Sequence, residues 1–430
     1  MEKEKEFLLK EIKASEDYLR KLGPGIITGA SDDDPSGIAT YSQTGAQYGT
    51  GLLWMAAWTF PLMAMIQEMC ARIALVTGQG LAANIKTTYS RKVLYVCTFL
   101  LFIANTLNIG ADLGAMAKAL QLLYPTGSFV FLVIFIGLLS LFLEIIIPYK
   151  EYAKYLKWLV ISLFSYIATG LIINMDWANL FYNGIIPHIE FTKTQLLLIT
   201  AILGTTISPY LFFWQTSQEV EVQISEGKIT PESRLGTNKN EIKEMRQDVW
   251  TGMFLSNLVM FFIIAVCANT LYVNGITDIQ TASDAARALT PFAGKFATLL
   301  FALGIVGTGL LAVPVLAGST AYAISESMNW NEGLYRKLKE ARAFYGVIIV
   351  SIVVGILINF VGIDPIKALI YSAIANGIIA PVIIICIVHI SSSQKIMGEF
   401  KNKKTTNLVG WIVAGLMSVT AIATIVAMFI

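Results

Sequence analysis

The stretch Ser31-Asp32-Asp33-Asp34-Pro35-Ser36-Gly37 sets three consecutive acids, a proline and a glycine inside an otherwise apolar segment running from Gly23 to Gln43. Proline removes a helix donor and glycine adds backbone freedom, so a helix entering this stretch should open and start again. A loop joining two short helices outside the lipid is the alternative, but the segment is only long enough to cross a bilayer once, at ~20 residues per crossing. In hydrocarbon every backbone polar group must be satisfied by protein, so an unwound stretch at that depth persists only where it lines a cavity or is buried.

The surrounding sequence supplies the lipid context. Hydrophobic residues make up 55% of the 430 residues and charged residues 14%, too little polar surface for a soluble chain of this length. Eleven apolar spans are expected, at 24–44, 51–76, 93–121, 128–147, 157–174, 194–216, 247–272, 296–324, 343–361, 367–390 and 408–430. The runs are unbroken rather than alternating, which excludes a strand barrel, so the class is an all-α membrane protein.

The sixth span carries a second interruption, Gly204-Thr205-Thr206-Ile207-Ser208-Pro209-Tyr210, five spans after the first. Two related halves would place such breaks at equivalent points, and an odd number of crossings per half inverts the second half. The chain is therefore divided into a segment 1–22, a first repeat 23–192, an inverted second repeat 193–391 and a final loop and helix 392–430. Paired discontinuous helices in inverted repeats point to a substrate site near the bilayer midplane.

Lysine and arginine concentrate in alternate loops. One side holds Lys3 to Lys21, Lys86 to Lys92, Lys150 to Lys157, Lys228 to Arg246, Arg336 to Arg342 and Lys395 to Lys404, while the other holds only Lys118, Lys193, Arg287, Lys295 and Lys367. This asymmetry predicts a cytoplasmic amino terminus and an external carboxyl terminus, and it makes the net charge of +2 a matter of topology rather than nucleic-acid binding. Residues 1–22 are mostly charged and show no cleavable signal pattern. Cys70, Cys97, Cys267 and Cys386 all fall inside spans without paired spacing and read as buried apolar residues.

Other intramembrane polar groups are Glu68 and Arg72, one turn apart and expected to pair, then Asn105, Asn108, Asp112, Glu144 and Asn376. Asp112 is a candidate for an aqueous path, and Glu144, near the cytoplasmic end of its span, is expected at the interface. His188 and His389 have no partner at metal-ligand spacing. The extramembrane loops show no nucleophile–base pair, phosphate loop or zinc motif, so neither an enzyme nor a cofactor is expected. No obligate protein partner is evident; the expected partners are a substrate ion and the bilayer.

The first break offers Asp34 and Ser31, the second Thr205 and Ser208, all hard oxygen donors. Such donors suit Mg²⁺, Ca²⁺ and Mn²⁺, whereas zinc, copper or cadmium would favour cysteine, methionine or histidine, absent from both breaks. A hard divalent cation is the favoured substrate. Three acids beside the first break argue against an anionic organic substrate.

At these residues the chain resembles the natural resistance-associated macrophage protein (Nramp) family of divalent metal transporters, over nearly its whole length. Gly23-Pro24-Gly25 leads to Asp34-Pro35-Ser36-Gly37 where the family has Asp-Pro-Gly-Asn, and Gly204 to Pro209 stands where it has Gly-Ala-Thr-Val-Met-Pro-His. Residues Leu62 to Asn84 also look like the family's second helix. The resemblance implies a LeuT-like fold of eleven helices in a 5+5 inverted repeat, with helices 1 and 6 discontinuous. It makes Asp34 the metal-binding aspartate, puts Gly37 at the asparagine ligand, Ser31 and Thr205 at ligating carbonyls, and Ser208 at a methionine. Asp32, Asp33, Thr206, Tyr210, Asp112 and Asn376 would surround the site or its pathway.

Serine in place of the thioether should weaken preference for transition metals over Mg²⁺ and Ca²⁺. Tyr210 stands where the family has a histidine, and Ala115 where a glutamate follows the retained Asp112. This pattern is similar to the Nramp-related magnesium transporters, which implies a wider site, uptake of Mg²⁺ and Mn²⁺, no proton coupling, and a prokaryotic plasma membrane. The alternatives are a proton-coupled Mn²⁺/Fe²⁺ symporter using Asp112 and an amino-acid or other organic-substrate symporter on the same fold.

Overall fold

The computed structural model describes residues 23–147 and 163–429, which are helical with no strand among them. The first expected span is split as foreseen into α1 (Pro24–Asp32) and α2 (Pro35–Tyr48), with only Asp33 and Asp34 between them. Then come α3 (Trp54–Thr77), α4 (Leu81–Thr88), α5 (Arg91–Leu123), α6 (Phe129–Ile146), α7 (Phe164–Ile172) and α8 (Trp177–Ile185). The second break separates α9 (Lys193–Thr206) from α10 (Pro209–Ser225), again by two residues. The chain continues through α11 (Lys239–Thr270), α12 (Ala297–Met328), α13 (Arg342–Ile358), α14 (Pro365–Ser392) and α15 (Lys404–Phe429). Both helices that resume after a break open on proline, whose missing N–H would be unpaired there anyway.

Eight stretches among the described residues are long and apolar enough to cross a membrane, and α13 is a shorter apolar helix. The remaining expected crossings fall on the α1–α2 pair and on α7. The amino-terminal segment 1–22, the first part of the expected span 157–174 and the loop lysines Lys150, Lys154 and Lys157 lie outside the described residues. The short helices α4 and α8 were not anticipated, and α11 starts about two turns before its apolar run, where the Asn238 side chain caps the amides of Asn240 and Glu241.

Without a hydrophobic drive between helices in lipid, small residues set how closely they approach. Both half-helices that lead into the breaks use glycine for this purpose. Gly25 and Gly29 of α1 lie against Gly252 of α11, and Gly204 of α9 lies against Gly377 of α14; a Cβ on Gly29 or Gly204 would collide with the carbonyl of Gly252 or Ala373. The start of α1 lacks a cap of its own. Asp248 of α11 supplies it, accepting from the amides of Gly23 at 2.8 Å, Gly25 at 2.6 Å and Ile26 at 3.2 Å.

Arg72 and Glu68 pair as expected, with Arg72 Nε 3.9 Å from Glu68 Oε1, and two residues of α11 come closer still: Arg246 reaches Glu68 at 2.8 Å and Trp250 donates to it at 3.0 Å. The Arg72 guanidinium also donates to the Phe400 carbonyl at 2.6 Å and to Asn402, tying α3 to the loop before α15. Glu144, near the end of α6, is packed inside the protein. It is 5% exposed, because Gly318 of α12 leaves room for its carboxyl, and neither oxygen has a partner. The four cysteines are free and buried, as expected.

Candidate functional site

Asp34 caps α2. Its Oδ1 accepts the Gly37 amide at 2.7 Å and its Oδ2 accepts Asn108 Nδ2 from α5 at 2.8 Å. Asn108 is held in turn by Ser372 of α14, whose hydroxyl donates to Asn108 Oδ1 at 2.7 Å. A carboxylate offers about four lone-pair directions, which these two bonds do not exhaust, and the Ser36 amide and hydroxyl lie beside Asp34 as well.

At the second break the Ser208 hydroxyl turns back onto the open end of α9, lying 2.7 Å from the Gly204 carbonyl and 2.5 Å from that of Thr205. Tyr210, the second residue of α10, donates to the Ser31 carbonyl at 3.1 Å. The two carbonyls expected as ligands, Ser31 and Thr205, are thus each met by a hydroxyl, and each keeps a second lone pair. Thr205 Oγ1 lies 3.2 Å from the Tyr41 hydroxyl, so Tyr210–Ser31 and Thr205–Tyr41 join the two breaks directly. The hydroxyls of Ser31 and Thr206 bond back to their own helices, at Ile27 and Ile202.

The three consecutive acids face different elements. Ser256 of α11 lies 2.6 Å from Asp32 Oδ2 and 3.3 Å from Asp33 Oδ1, while Asp34 is turned to α5. Asp112, one turn beyond Asn108, is fully buried with no partner on either oxygen. Asn376 is buried with its Oδ1 unpartnered. Ala115 is buried and, with Ile38, Ile279 and Phe301, lines a small apolar gap.

Barriers close the site on both sides. Towards the end of α10, Thr28 donates to Gln215 at 2.6 Å, and Trp214 packs edge-on against Tyr322 with ring centroids 6.4 Å apart. On the opposite side Gln43 holds the Thr277 carbonyl at 3.2 Å and the Ile279 amide at 2.9 Å, fixing that connection over α2.

A family model described as natural resistance-associated macrophage protein-like matches residues 25–427. The chain belongs to the Nramp family. It is 26% identical over 414 residues to a "Divalent metal cation transporter MntH" of Caldanaerobacter subterraneus, covering 94% of this chain and 91% of that one. The fold is similar to that of the Eremococcus coleocola manganese transporter, with a TM-score of 0.73 at 18% identity, covering 94% of this chain and 85% of that structure. It is also similar, more distantly, to Mhp1, a nucleobase-cation-symport-1 family transporter in a closed conformation, with a TM-score of 0.52 at 15% identity and 94% and 90% coverage. The LeuT-like fold that the family resemblance implies is that of this Nramp chain.

One assignment carried over from the Nramp pattern changes. Gly37 has no side chain and spends its amide on Asp34, and a donor cannot ligate a cation, so this position orients the carboxylate. The groups that sequence reasoning left out of the site are Asn108, Tyr41 and Ser256. Asn108 had a signal, an amide inside a membrane span four residues before Asp112; Tyr41 and Ser256 look like ordinary helix residues until the fold places them.

Proposed function

We propose that this Nramp chain carries divalent metal ions across a bilayer, Mg²⁺ foremost and Mn²⁺ as well, by alternating access and without moving a proton. The observation that carries the reading is the donor set: one carboxylate surrounded by hydroxyl and carbonyl oxygens, with no sulfur or imidazole. Among the described residues no three acidic, histidine or cysteine side chains converge as a metal cage. Mg²⁺ gives up water reluctantly and suits a site that supplies a few oxygens and leaves the rest of the shell to water. The printed name of the MntH relative supports the substrate class.

Asp34 is the proposed anchoring ligand, with the carbonyls of Ser31 and Thr205 and the Ser208 oxygen completing the protein's share. Asp32 and Asp33 add negative charge beside the opening, and Asp112 and Asn376 lie along the pathway. Absence of proton coupling is supported by Tyr210, whose hydroxyl is committed to Ser31, and by the apolar surroundings of Ala115. The lysine-rich loops would face the cytoplasm of a prokaryotic cell.

The test is transport into liposomes holding a Mg²⁺ dye and a pH dye. Mg²⁺ entry without acidification is expected, with both Mg²⁺ and Mn²⁺ uptake lost in Asp34→Ala. Acidification that tracks metal entry would favour the second reading, a proton-coupled Mn²⁺/Fe²⁺ symporter, whose support is the unpartnered Asp112. Uptake of an organic solute with no divalent transport would favour the third.

A further inference from the structure

The bond from Ser372 of α14 to Asn108 of α5, at 2.7 Å, fixes the register of a seam between helices from the two halves of the chain. Towards the lysine-rich side, Cys97 lies 11 residues before Asn108 and Cys386 lies 14 residues after Ser372. At about 3.6 residues per turn these steps are close to three and four whole turns, so each sulfur sits on nearly the same side of its helix as its seam residue. The rise of ~1.5 Å per residue sets them ~17 Å and ~21 Å from that bond, at similar depth. Cys97 is 0% exposed and Cys386 3%, and the two side chains meet as hydrogen-bonding partners. The other two cysteines have hydroxyl neighbours, Cys70 beside Thr216 and Cys267 beside Ser42.

Tyr89, the residue that ends α4, lies over the pair. Its hydroxyl meets the Cys386 sulfur and stands 2.5 Å from His389 Nδ1, with the two rings edge to face at 5.4 Å between centroids. His389 follows Cys386 by three residues, on the same face of α14, and is exposed. A phenol carries a single proton. When Tyr89 donates it to the Cys386 sulfur, its oxygen accepts from a protonated Nδ1 of His389, and a hydrogen-bonded path joins the thiols to solvent. A buried cysteine ordinarily packs as a small apolar residue. Two that face each other across a helix seam, under a phenol and an exposed imidazole, have a chemistry open to them that a single one lacks.

We propose that Cys97 and Cys386 form an oxidative modification site, a thiol pair that a peroxide converts to a disulfide and that thereby arrests transport. The Cys386 sulfur attacks one peroxide oxygen and becomes a sulfenic acid, and the departing hydroxide takes up the thiol proton as the first water. The Cys97 sulfur then displaces the sulfenic hydroxyl, which leaves with the second thiol proton as another water, and the S–S bond forms. The two thiols give up two electrons and two protons, and the peroxide accepts both. The bond staples α5 to α14 on the seam that also holds Asp34 through Asn108. Alternating access in an inverted-repeat carrier moves one repeat or bundle against the other, so a covalent tie between the halves opposes it. On a side that the cell keeps reducing, such a disulfide is transient and reports oxidation.

The consequence rests on the transport reading, but the chemistry of the pair does not. The test treats the full-length protein in liposomes with hydrogen peroxide and follows both the thiols and Mg²⁺ uptake. Two of the four thiols should disappear, peptide mass spectrometry should join Cys97 to Cys386, and uptake should be lost and then restored by dithiothreitol. Reversal by a thiol separates this bond from methionine oxidation. Cys97→Ser and Cys386→Ser, checked for monodispersity, should each transport before treatment and keep transporting after it. No link between these two residues, a link that leaves uptake intact, or serine variants arrested as the wild type is would overturn the proposal. A reduced wild-type protein that forms the link but carries no divalent ion would sink the transport reading and leave the modification site standing.

Discussion

Asn108 is the residue through which the structure adds most to the sequence, and its removal tests the site. In Asn108→Ala, Asp34 Oδ2 loses the 2.8 Å bond from Asn108 Nδ2, and the Ser372 hydroxyl loses the acceptor it meets at 2.7 Å. The Gly37 amide stays on Oδ1, so the carboxylate keeps one anchor and can rotate about it. A hydrogen bond to a charged group contributes about 1.5–3 kcal/mol. If that energy serves to hold Asp34 in its ligating orientation, metal affinity falls roughly 10- to 100-fold, at about 1.4 kcal/mol per tenfold. The opposite sign is physically open, because the amide also occupies a lone pair that a cation could use. Calorimetric titration of Mg²⁺ and Mn²⁺ into the purified variant, beside transport in liposomes, reads the difference. Tighter binding in Asn108→Ala would refute the positioning role and make Asn108 a competitor of the metal.

Ser208→Met places a thioether at the second break and removes the hydroxyl from the carbonyls of Gly204 and Thr205; Mn²⁺ and Cd²⁺ should gain on Mg²⁺ in competition uptake, and an unchanged order would take Ser208 out of the ion's surroundings. Gly204→Val should lower the unfolding midpoint in detergent by several degrees, since overpacking costs about 1–3 kcal/mol, whereas exposed Gly415, whose Cβ would meet nothing, should tolerate alanine unchanged. Glu332 has a folded-state value raised to about 10, so the folded protein holds this proton more tightly than the unfolded chain, and the associated stability is lost as pH rises through that range. Glu332→Gln should therefore melt at a midpoint less dependent on pH between 7 and 10 than the wild type; parallel pH curves for the two proteins would contradict it.

What the sequence disclosed and what it withheld divide along a physical line. The breaks were legible because acids, proline and glycine within apolar runs violate the rules of a helix in lipid, and the structure interrupts each helix for two residues, at Asp33–Asp34 and Ile207–Ser208. Span positions followed from the same hydropathy. Contacts between elements distant in sequence were not legible. Asp248 capping α1, Tyr210 on Ser31 and Ser256 beside Asp32 join residues 179 to 225 positions apart. Glu68 and Arg72 pair as their spacing on one helix suggests, whereas the cation that comes closer to Glu68, Arg246, arrives from α11 and was not legible.

The oxygens left over at the two breaks bear on how an ion would travel. Asp34 offers one or both carboxylate oxygens, the Ser31 and Thr205 carbonyls one lone pair each, and Ser208 Oγ can turn a lone pair inward. Bidentate and monodentate approach to Asp34 then supply four or five protein oxygens at most, short of six for Mg²⁺, so at least one or two waters must stay on the ion. Each carbonyl that would accept the ion now accepts a hydroxyl, so the closed site is already electrostatically satisfied, and an arriving cation replaces polar contacts rather than filling a bare, costly hole. On this reading dehydration is partial. The ion sheds part of its shell only where Asp34 and the freed carbonyls stand in for water. Selectivity between Mg²⁺ and softer ions then rests on that step, which is where Ser208 lies.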